Sequence, residues 1–181
     1  MGTRCTGVLI APAEVLTAAH CLYNPRTRAL LEPVSLHVLF GFERDGYRWH
    51  RLVARYVTGP GFDGRSPGPL ASDWARLELA HPVSLHPLPV ISQEIEPGAP
   101  VALAGYNQDR TELLLADLDC RVVHLAAAPG GGTFIIHDCA GTRGTSGGPL
   151  LSRQNGNWAV VGINIAAGPA DNIALPVPAG R

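Results

Sequence analysis

Apolar residues along the chain fall in short bursts, many alternating with polar positions, and glycine or proline cuts each burst off before a helical repeat is sustained. Period-two runs bounded by turn residues predict strands. In the first half these runs lie near 5–11 and 14–19, a hairpin turned at Ala11-Pro12-Ala13, and then near 34–41, 48–58 and 74–79. His20 is expected to end the second strand. In the second half they lie near 100–106, 119–126, 133–137, 148–152, 158–165 and 172–176, a set sufficient to close a small barrel. Turns are expected at Glu43-Arg44-Asp45-Gly46 and along the Pro/Gly-rich loop from Gly59 to Pro69, whose length suits a functional or mobile loop. Tyr47, Trp49, Val53 and Val57 are expected in the core of the first half. The stretch from His81 to Pro100 carries prolines too close together for a regular helix and reads as a connection between two lobes. Residues 107–118 fit a hairpin or a short helix equally well.

Composition narrows the class. A chain of 181 residues suffices for one large domain or two small lobes sharing a core. Its 21 glycines and 16 prolines are scattered rather than periodic, which fits a turn-rich all-β domain and excludes collagen. The net charge of −1 and the charged fraction of 16% provide no polybasic surface, so neither nucleic acid nor an anionic membrane is expected as a partner. No stretch approaches the roughly 18 apolar residues of a membrane-crossing helix. The run Val8-Leu9-Ile10-Ala11-Pro12 is too short to be the apolar segment of an export signal.

Chemistry concentrates in three stretches. In Gly144-Thr145-Ser146-Gly147-Gly148-Pro149 a hydroxyl stands among glycines that leave the neighbouring backbone unobstructed, so the amides of Gly144 and Ser146 can converge on a developing oxyanion. Taken alone, this string is also an ordinary Gly-rich hairpin turn. A serine at neutral pH needs a base, itself oriented by a third group. Leu16-Thr17-Ala18-Ala19-His20-Cys21 sets one histidine among small residues after an apolar run. His37, His50, His81, His86, His124 and His137 have no comparable surroundings and read as surface, turn or strand residues. Asp73, at the mouth of the alternating run Trp74-Ala75-Arg76-Leu77-Glu78-Leu79, is the candidate orienting carboxylate. Asp45 and Asp63 sit in Gly-containing turns, where a carboxylate caps its own turn.

Together these stretches, with Cys5-Thr6-Gly7-Val8-Leu9-Ile10 and Val161-Gly162-Ile163-Asn164 as flanking strands, resemble the trypsin/chymotrypsin-like serine peptidases, closest to the compact bacterial branch that includes glutamyl endopeptidases. The resemblance covers nearly the whole chain. It implies two Greek-key six-stranded β-barrels with the active site between them: an N-terminal lobe at 1–90, short of its first strand, and a C-terminal lobe at 91–181. On it His20 is the general base, Asp73 its orienter, Ser146 the nucleophile, and Gly144 and Ser146 the oxyanion donors. The implied activity is endoproteolysis through an acyl-enzyme, without cofactor, by a monomer acting on protein or peptide. A catalytically silent binding protein or an esterase on the same fold are the alternatives.

Sequence alone permits three pairings of the four cysteines; the family pattern selects Cys5–Cys21 and Cys120–Cys139. The first would close a loop of about 15 residues, worth roughly 3 kcal/mol. Disulfides imply an oxidising, secreted or periplasmic setting. Zinc is disfavoured because no Cys-x-x-Cys or His-x-x-x-His spacing occurs. Two departures from the family stand out. Thr145 occupies the place where enzymes activated by cleavage carry an aspartate, so pairing with a freed amino terminus is not expected. The expected specificity wall, Asn164, Ile165 and Ala166, is uncharged, and Asn164 stands about where glutamyl endopeptidases carry histidine, so no strong glutamate preference is expected. Thr142 on the opposite wall is a candidate polar contact, and Arg143 is expected to face solvent.

Overall fold

The structure, a computed structural model, describes residues 4–44, 46–63, 70–129 and 131–177. Asp45 of the expected Glu43–Gly46 turn, and residues 64–69 of the loop after Gly59, lie outside the described residues.

The first lobe begins with the expected hairpin, β1 (Val8–Ala11) and β2 (Glu14–Thr17), paired antiparallel with a bulge between Leu9 and Ala11. His20 does not end a strand. It lies in a 3-10 turn, Ala19–Leu22, which lifts its side chain out of the sheet. A small hairpin that the periodicity did not predict follows, β3 (Tyr23–Asn24) and β4 (Ala29–Leu30), too short to carry an alternating pattern. The lobe is completed by β5 (His37–Phe40), β6 (Trp49–Thr58) and β7 (Ala75–Leu79). In β7 the alternation is plain: Ala75, Leu77 and Leu79 are buried while Glu78 is exposed.

Among the described residues the sheet of this lobe has five strands, in the order β1-β2-β7-β6-β5, and curls without joining its edges, which fits a barrel short of its first strand. One expectation for its core is corrected. Of the four residues expected in its core, Val53 is buried and Trp49 packs at the margin, but Tyr47 and Val57 are exposed. Tyr47 lies before β6, and for Val57 the cause is a bulge in β6 between Val53 and Arg55. It shifts the inward alternation by one residue, so that Tyr56 instead of Val57 turns toward Leu77 and the core. Tyr56 donates its hydroxyl to Leu31 O at 2.8 Å, and burial, then the Glu32 charge, raises its pKa.

The second lobe closes completely. Its strands β8 (Pro100–Tyr106), β9 (Leu114–Ala127), β10 (Thr133–His137), β11 (Pro149–Gln154), β12 (Asn157–Ala167) and β13 (Asn172–Pro176) form a barrel in the order β10-β13-β12-β11-β8-β9. The ambiguous 107–118 stretch resolves into a 3-10 turn, Gln108–Arg110, and an early start to β9. Asn155-Gly156, both at positive φ, turn β11 into β12 as a two-residue hairpin. The barrel is filled by Val101, Leu103, Val122, Ile135, Leu150 and Val161, with the disulfide Cys120–Cys139 among them.

The lobes are packed into one another. One apolar cluster joins Val8, Leu16 and Ala18 of the first to Phe134, Val160 and Ile163 of the second. The proline-rich connection forms no regular helix and bonds both sides: Leu88 N–H donates to Leu9 O, and Pro89 O accepts from Val160 N–H.

One buried histidine in β10 departs from the apolar pattern. His137 is fully buried, its Nε2 lies 3.2 Å from Asn164 Oδ1, and its Nδ1 has no hydrogen-bond partner among the described residues. Burial lowers its pKa, against smaller upward pulls from the Asn164 contact and from Asp138, Asp171 and Asp117. The folded state therefore holds His137 neutral, whereas the unfolded chain protonates it below about pH 6.5. The unfolded state binds the extra proton, so this group's contribution is lost as pH falls below that value. In denaturant unfolding from pH 7 to pH 5, His137→Gln is expected to flatten the loss of stability seen in the parent; equal slopes would contradict the assignment. Replacing Cys120 and Cys139 together by serine is expected to cost about 3 kcal/mol in the same assay.

Candidate active site

The 3-10 turn Ala19–Leu22 holds His20 beside Asp73, the residue that follows the turn Leu70–Ser72 and precedes β7. Asp73 is engaged twice by the same residue. Its Oδ1 accepts the His20 backbone N–H at 2.7 Å, and its Oδ2 lies 2.7 Å from His20 Nδ1. The carboxylate side chain is 6% exposed and the imidazole 37% exposed, so an anchored anion backs a ring whose other edge remains accessible. Because the carboxylate accepts, the proton sits on Nδ1, and Nε2 is left as a free lone pair able to take a proton.

Ser146 lies in the second of two consecutive turns that share Thr145. Thr145 N–H closes the first on Thr142 O at 3.1 Å, and Gly148 N–H closes the second on Thr145 O at 2.8 Å. Each has glycine at its third position with positive φ, Gly144 at +99° and Gly147 at +80°, the conformation of a type II turn. A side chain at Gly144 would also collide with Tyr106 O, and one at Gly147 with Thr6 O and Thr17 Oγ1. The amides of Thr145, Gly147 and Gly148 are consumed by the fold, whereas those of Gly144 and Ser146 have no protein acceptor among the described residues.

The serine loop is bound to the histidine loop by a small polar set that the sequence reading did not single out. Thr6 N–H donates to Ser146 O at 2.9 Å, Thr6 Oγ1 donates to Gly144 O at 2.8 Å, and Thr17 Oγ1 donates to Thr6 O at 2.7 Å. The disulfide Cys5–Cys21 flanks this set, with Cys21 Sγ 3.8 Å from Ser146 O. Thr6 and Thr17 lie inside the two apolar stretches that were read as strand and base motif; their type alone did not separate them from ordinary strand threonines. His20 and Ser146 are thereby brought to one junction, though no hydrogen bond joins their side chains in this state among the described residues. Such contacts commonly tighten only when substrate binds.

Side-chain atoms of Cys5, His20 and Cys21 lie within 4.8 Å of one another. Both sulfurs are spent in the disulfide, so no thiolate is present and the set does not suit a metal ion.

The expected specificity wall is placed mostly inward. Asn164 is buried, with its amide between His137 and Thr145; Ile165 is buried in the shared cluster, and Ala166 is half-buried. The Thr142 hydroxyl accepts from Gln108 N–H at 3.1 Å and donates to Arg143 O at 3.3 Å, so it serves the turn. Arg143 is exposed. A buried histidine within the otherwise apolar run Phe134-Ile135-Ile136-His137 was the available signal for His137, which had been read as an ordinary strand residue.

The first curated relatives compared are serine peptidases. The chain is 28% identical to the chymotrypsin-like elastase family member 1 of Macaca fascicularis over 88% of its own length and 66% of the relative's. It is 32% identical to a trypsin of Phaedon cochleariae over 57% of its own length and 40% of the relative's. A solved structure of Glu endopeptidase in complex with MPD superposes with a TM-score of 0.77 at 19% identity, covering 98% of this chain and 81% of that one, which establishes the chymotrypsin-like fold. The family model described as a trypsin-like peptidase domain matches residues 5–163, and the chain belongs to that family.

Proposed function

We propose that the protein is a serine endopeptidase in which His20, Asp73 and Ser146 form the catalytic triad. The observation that carries this reading is the double anchoring of His20 on the buried Asp73, at 2.7 Å from both backbone and ring nitrogen, because it leaves Nε2 as the basic edge. Ser146 Oγ attacks the substrate carbonyl as its proton passes to His20 Nε2, and Asp73 stabilises the imidazolium that forms. The amides of Gly144 and Ser146 receive the oxyanion. His20 returns the proton to the leaving amine; the same nitrogen then takes a proton from water as its oxygen attacks the acyl carbon, and passes that proton to Ser146 Oγ as the acyl C–O bond breaks. Apart from that water, every catalytic group in these steps belongs to the chain itself. The two disulfides support an oxidising, extracellular setting.

Two experiments test the reading. A fluorophosphonate probe is expected to label the oxidised protein stoichiometrically, and Ser146→Ala to abolish labelling and lower turnover by on the order of 10⁶. A folded, disulfide-bonded chain that takes no label would favour the silent-binding alternative, while turnover of esters but not peptides would favour the esterase. Gly147→Ala forces a side chain against Thr6 O and Thr17 Oγ1. It is expected to slow labelling at least about a hundredfold through misplacement of Ser146, measured as the second-order rate of phosphonylation.

A further inference from the structure

A buried chain of hydrogen bonds starts at His137 and ends on the turn that carries Gly144. Its polarity can be assigned atom by atom. Asn164 Oδ1 bears no hydrogen, so the 3.2 Å contact requires the proton on His137 Nε2. The other end of the amide, Nδ2, donates to Thr145 Oγ1 at 3.4 Å. The Thr145 hydroxyl, accepting there, donates its own proton to Thr142 O at 2.5 Å. Thr142 O thus receives both the hydroxyl and the amide of Thr145, which clamps the two ends of the turn Thr142-Arg143-Gly144-Thr145.

The central peptide of that turn, between Arg143 and Gly144, holds the amide that faces the oxyanion in the proposed mechanism. Its carbonyl side is held by the Thr142 hydroxyl, and the following carbonyl, Gly144 O, by Thr6 Oγ1. Turn type depends on which way this peptide faces, so the clamp on Thr142 O helps decide where the Gly144 N–H points.

A reversed relay is conceivable and unfavourable. Rotating the Asn164 amide would present Oδ1 to Thr145, drawing its hydroxyl away from Thr142 O. It would also present an NH₂ to His137 Nε2, forcing the ring proton onto Nδ1. That atom is buried with no acceptor among the described residues, and an orphaned buried N–H is the rarer and costlier defect than an orphaned lone pair. The position of one imidazole proton therefore sets the direction of the whole chain.

We infer that His137 is a positioning residue for the oxyanion site, acting through Asn164 and Thr145 to hold the turn that presents the Gly144 amide. The inference rests on the peptidase reading for its effect on rate, but not for its effect on the turn.

Thr145→Val keeps the shape and removes the hydroxyl, Thr145→Ser restores it, and His137→Phe fills the ring's place without a donor. Two readouts are taken on each: the phosphonylation rate of Ser146, and hydrogen exchange of peptides covering 142–148. Thr145→Val is expected to slow phosphonylation about 10- to 100-fold, part of what loss of an oxyanion donor costs. Thr145→Ser is expected to return it to within about threefold of the parent. His137→Phe should slow it in the same direction, and the double variant should be no slower than Thr145→Val, because both act on one chain. Exchange across 142–148 should quicken in both single variants while the remainder of the barrel stays protected. Parent-like rates in the folded variants, or losses that multiply, would overturn the inference. If His137→Phe does not fold, the Val and Ser pair decides. If the parent itself takes no label, the peptidase reading fails and exchange alone decides: quickening confined to 142–148 sustains the relay, and unchanged exchange ends it.

Discussion

The backbone at Gly147 can only be where it is because nothing projects from it. Thr6 O, Thr17 Oγ1 and Ala18 N surround the place a Cβ would take, and this contact is where the closed barrel meets the curled sheet. Everything near Ser146 is referred to it. Gly147 N–H is fixed on Asn164 O at 2.7 Å, Asn164 N–H returns to Gly148 O at 2.8 Å, and Thr6 holds Ser146 O from the opposite side. The serine loop is thus framed by β12 of its own lobe and by the strand and histidine turn of the other. Backbone groups do most of this work, which leaves side chains free to vary around a fixed junction.

The sequence was legible where chemistry and periodicity agree. Alternation placed β7 and most strands of the second barrel to within a residue or two, because one face of each is buried in a continuous core. It failed where the backbone departs from strict alternation. The bulge in β6 turned Val57 outward, and the very short β3 and β4 had no pattern to read. His20 was singled out by its small neighbours as a candidate, but its 3-10 turn was not visible, since Ala18-Ala19-His20 continues the apolar character of β2.

The site's supporting groups were the least visible. Thr6, Thr17 and Thr145 are β-branched residues of a kind common in strands, and only their three-dimensional partners distinguish them. Asn164 was read as facing a substrate and instead faces into the barrel, where both ends of its amide are bonded. A strand carries alternate side chains to opposite faces, but the bulge in β12 between Asn164 and Ala166 breaks the count at this very place. Asn164 was drawn inside, where His137 and Thr145 satisfy its amide, while Thr142 stayed at the exposed turn.

Assembly from distant segments has a consequence in time. The groups that converge here come from residues 5–6, 17–21, 73, 106, 142–148 and 164, so the junction closes a loop nearly as long as the chain. Loop-closure entropy and dependence on non-local strand pairing make such contacts slow to form. Each lobe can gather its own strands first, yet neither half possesses both the imidazole and the hydroxyl. On the proposed mechanism, acyl chemistry at Ser146 would accordingly be a property of the finished molecule alone, and nascent or partly folded copies would be inert toward their neighbours until the final docking is complete.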